Sequence, residues 1–297
     1  MEGVTETGVT GTGVTGTGVT GTGVTETGVT ETGGTDAVAI TLVGGLGNQL
    51  FQLSAAYIVS KKHRIHLLHS SPRANLHNKF GHDYNNTVFK HLTKHFKPIY
   101  NLVGYTLPPR PYSRCYLPYS PDDIKAGSVM MDYYQYYPPM KPYENEIREL
   151  LIKGVREFGR PLEAKVPVFM HIRRGDYVGK AHMHFLQPIE YYEKAYSVLT
   201  EKVCPDALYI VSDDIEWVKS QPFFIGLPNR IFWEEPDELK TLALLSLCVG
   251  GAICANSTFS WWGAFLGAHG ERNPVIMPKH YFIDAPIDLF PSEWIVI

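Results

Sequence analysis

Residues 38–62 read VAITLVGGLGNQLFQLSAAYIVSKK. Val38 to Val43 reads as a strand that runs directly into Gly44, Gly45, Leu46, Gly47, Asn48 and Gln49. From Leu50 to Lys62, the residues Leu50, Phe51, Leu53, Ser54, Tyr57 and Ile58 fall on or near one face of a helix. Strand, glycine loop and helix together open a Rossmann-like α/β unit. The glycines let backbone approach a ligand closely, and a helix N-terminus favours negative charge or polar sugar groups. GGxGN lacks the GxGxxG dinucleotide spacing, so a tight turn is an equal reading of the glycines taken alone.

Three further strand ends carry polar residues. Val166 to Ile172 reads as a buried strand that leads through His171 and Ile172 into Arg173, Arg174, Gly175, Asp176 and Tyr177. Adjacent arginines on extended backbone point to opposite faces. One of them is therefore expected to reach a strand-end crevice, where a guanidinium can hold a diphosphate bidentately, while the other ties down the loops. An ion pair with Asp176 is the competing account. Ala207 to Val211 ends at Ser212, Asp213 and Asp214 before a short helix, Ile215 to Lys219, which Ser212 or Asp213 could cap. No DxD segment supports a metal-binding carboxylate pair there. Finally, a helix over Glu238 to Cys248 and a strand over Ala252 to Ala255 lead into Asn256, Ser257, Thr258, Phe259, Ser260, Trp261, Trp262 and Gly263, with a helix continuing through Leu266. Hydroxyls and amides at a strand mouth and helix start make either a phosphate cradle or an ordinary cap. Between these signals, residues 70–165 are rich in Tyr, Pro and His, with a helical stretch from Glu144 to Phe158. Met131 to Tyr137 reads as strand-like, near the boundary between the halves.

Composition sets the outer limits. A chain of 297 residues with 44% hydrophobic and 19% charged residues has the make-up of a folded globular protein. A net charge of -3 implies neither a nucleic-acid partner nor an anionic membrane surface. Cys115, Cys204, Cys248 and Cys254 form no CxxC pair, which argues against a disulfide framework or structural zinc. The longest apolar stretch, Thr241 to Ala255, falls short of the roughly 20 residues that span a bilayer. No secretory signal peptide is read at the N-terminus, so cytosol is the default location, and a Golgi lumen follows only if a membrane anchor is missing from the chain. Gly3 to Thr32 is six GVTET or GVTGT pentads. One Val per pentad fills little core and the odd period suits neither helix nor strand, so residues 1–35 are expected to be disordered and without catalytic role.

The four segments GGLGNQLFQ, HIRRGDYVG, SDDIEWVK and ANSTFSWWGAFLG, in that order, resemble the glycosyltransferase family that contains the α1,2-fucosyltransferases, with wording closer to its bacterial and invertebrate members. The resemblance covers about residues 37–297. It implies a GT-B-like α/β fold of two Rossmann-like domains facing across a cleft, here 36–160 on the acceptor side and 161–297 on the donor side. It also implies a transferase of carbohydrate metabolism and glycosylation that uses GDP-fucose as donor, a galactose-containing glycan as acceptor, and neither cofactor nor metal. Carried over by position, it places His171 and Arg173 at the diphosphate, with Arg174 and Asp176 shaping that site. Asp213 and Asp214 would face the nucleotide, and Ser257, Thr258, Phe259 and Ser260 would line its phosphate or nucleoside side. Gly44, Gly45, Gly47, Asn48 and Gln49 would lie across the cleft near the transferred sugar and the acceptor. Asp176 is the nominal base, with His182 and His184 behind it. Relatives usually carry Asp, as a partner for the guanine, where this chain has Thr241, and Asp237 or Glu238, one turn earlier, are the candidate replacements. A non-catalytic nucleotide-sugar-binding protein and a nicotinamide-dependent oxidoreductase are the readings from other classes.

Overall fold

A computed structural model describes residues 35–70, 75, 78–112, 118–179, 185–267, 273–281 and 289–297. The pentad repeat, Cys115, His182 and His184 lie outside the described residues, so the expectations placed on them do too.

Two parallel sheets organise the chain. The first holds β1 (Ala37–Ile40), β2 (Arg64–Leu68), β3 (Lys97–Ile99) and β4 (Val129–Met130) in the order β3-β2-β1-β4. The second holds β5 (Pro167–Ile172), β6 (Ala207–Ser212), β7 (Arg230–Trp233), β8 (Gly251–Ile253), β9 (Val275–Met277) and β10 (Ile295–Val296) in the order β10-β9-β8-β5-β6-β7. In both, the chain starts centrally, builds outward to one side and then crosses to the other. Strand order therefore reverses between β1 and β4, and again between β5 and β8, and open α/β sheets bind ligands outside the carboxyl ends of the strands at such points. This is the two-sheet, Rossmann-like α/β architecture expected of a GT-B-like chain.

The helices are α1 (Leu46–Val59), α2 (Lys90–Thr93), α3 (Glu144–Arg156), α4 (Gly175–Val178), α5 (Ile189–Thr200), α6 (Ile215–Ser220), α7 (Pro222–Gly226), α8 (Glu238–Leu247) and α9 (Thr258–Leu266). Strand alternation sorts them into layers. On β5, Val168, Met170 and Ile172 join one core with Tyr192, Leu199 and Phe224 of α5 and α7. Phe169, from the other face, joins a second core with Leu242 and Leu245 of α8 and Trp261 and Phe265 of α9. That second core continues through Leu50 and Phe51 of α1 and Ile147 and Leu151 of α3 to Val38 and Ile40 of β1. Helices α1, α3, α8 and α9, packed on one another, thus form a shared apolar layer between the sheets.

Three local expectations need correction. Helix α1 begins at Leu46 rather than Leu50, so Gly47, Asn48 and Gln49 belong to its first turn. Strand β1 ends at Ile40 rather than Val43, and the Val43 N–H goes to the Gln52 side-chain oxygen (3.0 Å) instead of a neighbouring strand. Met131 to Tyr137 is not a strand. β4 stops at Met130, and Tyr134, at φ +52°, turns the chain in a left-handed conformation that no strand accommodates.

Candidate active site

The two reversal points lie side by side because α1 and α9 meet at their N-terminal ends. A Cβ on Gly47 would lie 2.6 Å from the Thr258 carbonyl carbon and 2.7 Å from the Phe259 nitrogen, so the two helix starts touch through a position that admits only glycine. Thr258 Oγ1 donates to Asn48 Oδ1 (2.9 Å), which also accepts from Gln135 Nε2 (3.0 Å). The GGLGN and ANSTF segments, 210 residues apart, are therefore one structure. Gln49 donates through Nε2 to the Gly44 carbonyl (2.9 Å) and so braces the loop before α1.

Helix α9 starts with Ser257 as its N-cap, whose Oγ accepts from the Phe259 N–H (3.3 Å). The start of α9 follows β8, which pairs with β5. Ser260 does not line the site as expected. It is fully buried, and its hydroxyl is given to the Ala255 and Ser257 carbonyls (3.2 Å each). Phe259 packs against the shared core, its ring 6.0 Å from that of His171.

The arginine pair divides, although Arg174 (φ −135°, ψ −59°) is not extended but caps α4. Arg173 Nη2 donates to Asp176 Oδ1 (2.6 Å), and Nη1 lies 2.9 Å from Asp213 Oδ2. Its guanidinium carbon stands 5.2 Å from the centre of the Tyr177 ring, and its Nε is buried without a partner. Arg174 turns the other way, donating from Nε to Asp214 Oδ2 (3.1 Å) and stacking 3.5 Å above the Trp217 ring. The ion pair to Asp176 and a position at the crevice are both present, so the two accounts of Arg173 are not exclusive.

His171 is 4% exposed, and its Nδ1 is buried without a partner. Burial, reinforced by the nearby Arg173 charge and partly offset by Asp213, pushes its pKa down to about 4, so its ring is neutral at physiological pH. Asn256 Oδ1 is a third buried and unpartnered atom. Its Nδ2 donates to the Phe185 carbonyl (2.8 Å), and its own carbonyl accepts from Tyr177 Oη (3.1 Å). Three orphaned polar atoms, on His171, Arg173 and Asn256, therefore flank the exits of β5 and β8. Buried polar atoms are nearly always paired, so three without partners at a reversal point make this the candidate ligand position.

Thr241 is buried, donating to the Glu235 carbonyl (3.2 Å) and accepting from Trp233 Nε1 (3.1 Å). Asp237 is the N-cap of α8, and its Oδ1 also meets His82 Nε2 at 3.1 Å. Glu238 accepts from Tyr84 Oη (2.7 Å). Ligand atoms of His82, Asp237 and Glu238 lie within 4.8 Å of one another, near enough to hold a cation, but Asp237 and Glu238 already accept these bonds.

Sequence reading missed Gln135, Tyr177, Trp217 and the His82–Asp237 link. Trp217 had a local signal, since it stands three residues after Asp214 on the first turn of α6. Gln135 had none, because its partner Asn48 is 87 residues away.

Comparison with known proteins agrees with the motifs. The O-antigen biosynthesis glycosyltransferase WbnK of Escherichia coli is 26% identical over 291 residues, covering 81% of this chain and 93% of that protein. The alpha-1,2-colitosyltransferase of Escherichia coli is 26% identical over 299 residues, covering 88% and 98%. Among solved structures, the fucosyltransferase NodZ from Bradyrhizobium aligns with a TM-score of 0.44 and 11% identity, over 78% of this chain and 94% of that one. No helix among the described residues is long and apolar enough to cross a membrane. With the sequence profile of glycosyl transferase family 11 matching residues 33–297, nearly everything beyond the pentads, the chain belongs to that family and is a glycosyltransferase.

Proposed function

We propose that this enzyme transfers fucose from GDP-fucose to O-2 of a galactose in a glycan, with inversion at the anomeric carbon and without a metal ion. The observation that carries the reading is the Arg173 guanidinium just past the end of β5, its Nε buried and unpartnered, with the N-terminus of α9 following the neighbouring strand β8. A diphosphate leaving group needs positive charge and N–H donors where its negative charge grows, and a guanidinium and a helix N-terminus supply both without a cation. The neutral His171 ring adds a polar contact rather than a charge. Family membership supports glycosyl transfer, and the alpha-1,2-colitosyltransferase among the relatives supports the linkage.

For inversion, the acceptor oxygen attacks the face opposite the departing phosphate. In this reading Gly44, Gly45, Gly47, Asn48 and Gln49, at the reversal point of the first sheet, would line the acceptor side, with Gln135 bonded to Asn48. A base would take the proton from the attacking hydroxyl. Asp176 holds its carboxylate against Arg173, so in that role it would first have to be released when the diphosphate takes its place on the guanidinium. The reading is tested by incubation with GDP-fucose and a panel of galactosides, followed by linkage analysis. An α1,2-fucosyl galactoside is expected. Transfer from another nucleotide sugar with GDP-fucose left intact would sink it.

A further inference from the structure

The residues after β5 and β6 are neighbours by register, because Ile172 pairs with Ser212. Arg173, Arg174 and Gly175 therefore emerge beside Asp213 and Asp214. Asp213 Oδ1 accepts from the backbone N–H of Arg174 (2.9 Å) and of Gly175 (3.1 Å), while its Oδ2 holds Arg173 Nη1 at 2.9 Å. The approach is close enough that a Cβ on Gly175 would fall 2.4 Å from Oδ2. Both carboxylate oxygens are thus engaged by three consecutive residues of the arginine loop.

We propose that Asp213 is a positioning residue that aims Arg173 at the donor diphosphate, and not itself a ligand of the nucleotide. The inference rests on the diphosphate reading above and deepens it. A ribose hydroxyl or a base N–H would have to compete with two backbone amides for Oδ1 and with a guanidinium for Oδ2. A carboxylate beside a diphosphate is also repulsive, and Asp176, Asp213 and Asp214 already outnumber the two guanidiniums they bind. What Asp213 contributes is a fixed side-chain direction, since Arg173 held at Nη1 cannot swing out of the crevice. Asp214 does the same for Arg174 with Trp217 beneath it, which leaves the second arginine as scaffold.

The two roles differ in sign. Asp213→Asn keeps an oxygen for the backbone amides but replaces the partner of Arg173 with a donor. A positioning role predicts that this variant binds GDP at least as tightly as wild type, because a repulsive charge is gone, while kcat falls about tenfold or more as the guanidinium loses its aim. A ligand role predicts that GDP affinity and kcat fall together. Calorimetry with GDP and initial rates with saturating GDP-fucose read the two quantities separately. In an Arg173→Ala background, Asp213→Asn should cost less than a further twofold, since the residue it aims is absent. Multiplying losses, or a GDP affinity that drops in step with kcat, would overturn the proposal. If Asp213→Asn does not fold, Gly175→Ala pushes the carboxylate off Arg173 without removing its charge and should lower kcat in the same way. Wild-type protein that binds no GDP would sink the diphosphate reading itself, and with it any anion for Arg173 to be aimed at.

Discussion

Arg173 carries one positive charge between two carboxylates, and the energetics of the site turn on how that charge is handed to a ligand. An exposed ion pair contributes little, because solvent screens it and ordering two side chains costs entropy. Under the proposed function, Asp176 is thus a weak competitor for a doubly charged diphosphate to displace, whereas Asp213, braced by two backbone amides, would stay. Arg173→Ala should then lower the rate by at least about tenfold, since a charge-assisted hydrogen bond contributes roughly 1.5–3 kcal/mol and each ~1.4 kcal/mol is a factor of ten. Arg173→Lys should also be impaired, because a lysine restores the charge but not the fork. Single-turnover rates at saturating GDP-fucose check this, and a wild-type rate in the Ala variant would remove Arg173 from the chemistry. His171 gives a pH signature of its own. With a folded pKa of about 4 against an unfolded value near 6.5, the unfolded chain takes up a proton in that window and the folded chain does not. Stability is therefore undiminished above pH ~6.5 and falls as pH drops toward 4, by up to roughly 3 kcal/mol at ~1.4 kcal/mol per unit. His171→Gln should flatten that fall relative to wild type in denaturant titrations across the window. An identical pH dependence in the two proteins would show that His171 is not buried neutral. The placing of both residues at a strand exit was legible, because HIRRGD follows an apolar run. Their partners on β6 were adjacent only through sheet register, which one sequence does not display.

At the scale of elements, the site exists because the starts of α1 and α9 converge, and the contact that joins them is glycine against backbone. Gly47→Ala would drive a methyl into the Thr258 carbonyl and the Phe259 nitrogen, atoms that cannot rotate away. Overpacking of this kind costs about 1–3 kcal/mol or more, and here it also pulls Asn48 from Thr258. The variant should melt several degrees lower and lose transfer disproportionately, whereas unchanged melting and activity would mean the helix starts are not in contact. The glycine loop was legible as a strand-to-helix turn. Its real constraint was not, since Gly47 answers to a segment more than 200 residues away. Helix α8 shows the converse. Asp237 and Glu238 are the candidate guanine partners in place of Thr241, and a sequence cannot show that Asp237 caps its own helix and meets His82, or that Tyr84 takes Glu238. Because that cluster lies at α8 and the proposed function has Arg173 balance the diphosphate, EDTA should leave glycosyl transfer intact. Loss in EDTA reversed by Mg²⁺ or Mn²⁺ would assign a cation to the reaction.

Over the whole molecule, the two sheets are joined by more than the site. Residues of α1 and α3 from the first half and of α8 and α9 from the second belong to one apolar cluster, with Phe51 4.6 Å from Trp261, ring centre to ring centre. Polar bonds cross the same layer. Arg148 of α3 donates to the Phe265 carbonyl (2.8 Å) and lies 4.5 Å from the centre of its ring, while Arg156 donates to the Ser246 carbonyl (3.0 Å). Removing the second half would strip water-excluding cover from Phe51 and Leu151, and removing the first would strip it from Leu245, Trp261 and Phe265, where burying each such side chain contributes about 1.5–3 kcal/mol. Those losses, roughly 3–6 kcal/mol for the first half and roughly 4.5–9 kcal/mol for the second, are a large share of the roughly 5–15 kcal/mol by which a domain is stable at all. Neither residues 36–160 nor residues 161–297 should therefore fold as a native-like unit alone, despite each holding its own Rossmann-like sheet. The pentad repeat, with one small apolar residue per five, has no comparable surface to offer that core, so a chain beginning at Gly34 should retain the melting temperature and transfer rate of the full chain. In calorimetry, that truncated chain should unfold in one transition with equal calorimetric and van't Hoff enthalpies. Two resolved transitions, or a half that alone gives a cooperative melt and binds GDP, would show that the sheets are independent domains and that the layer between them is an interface rather than a core.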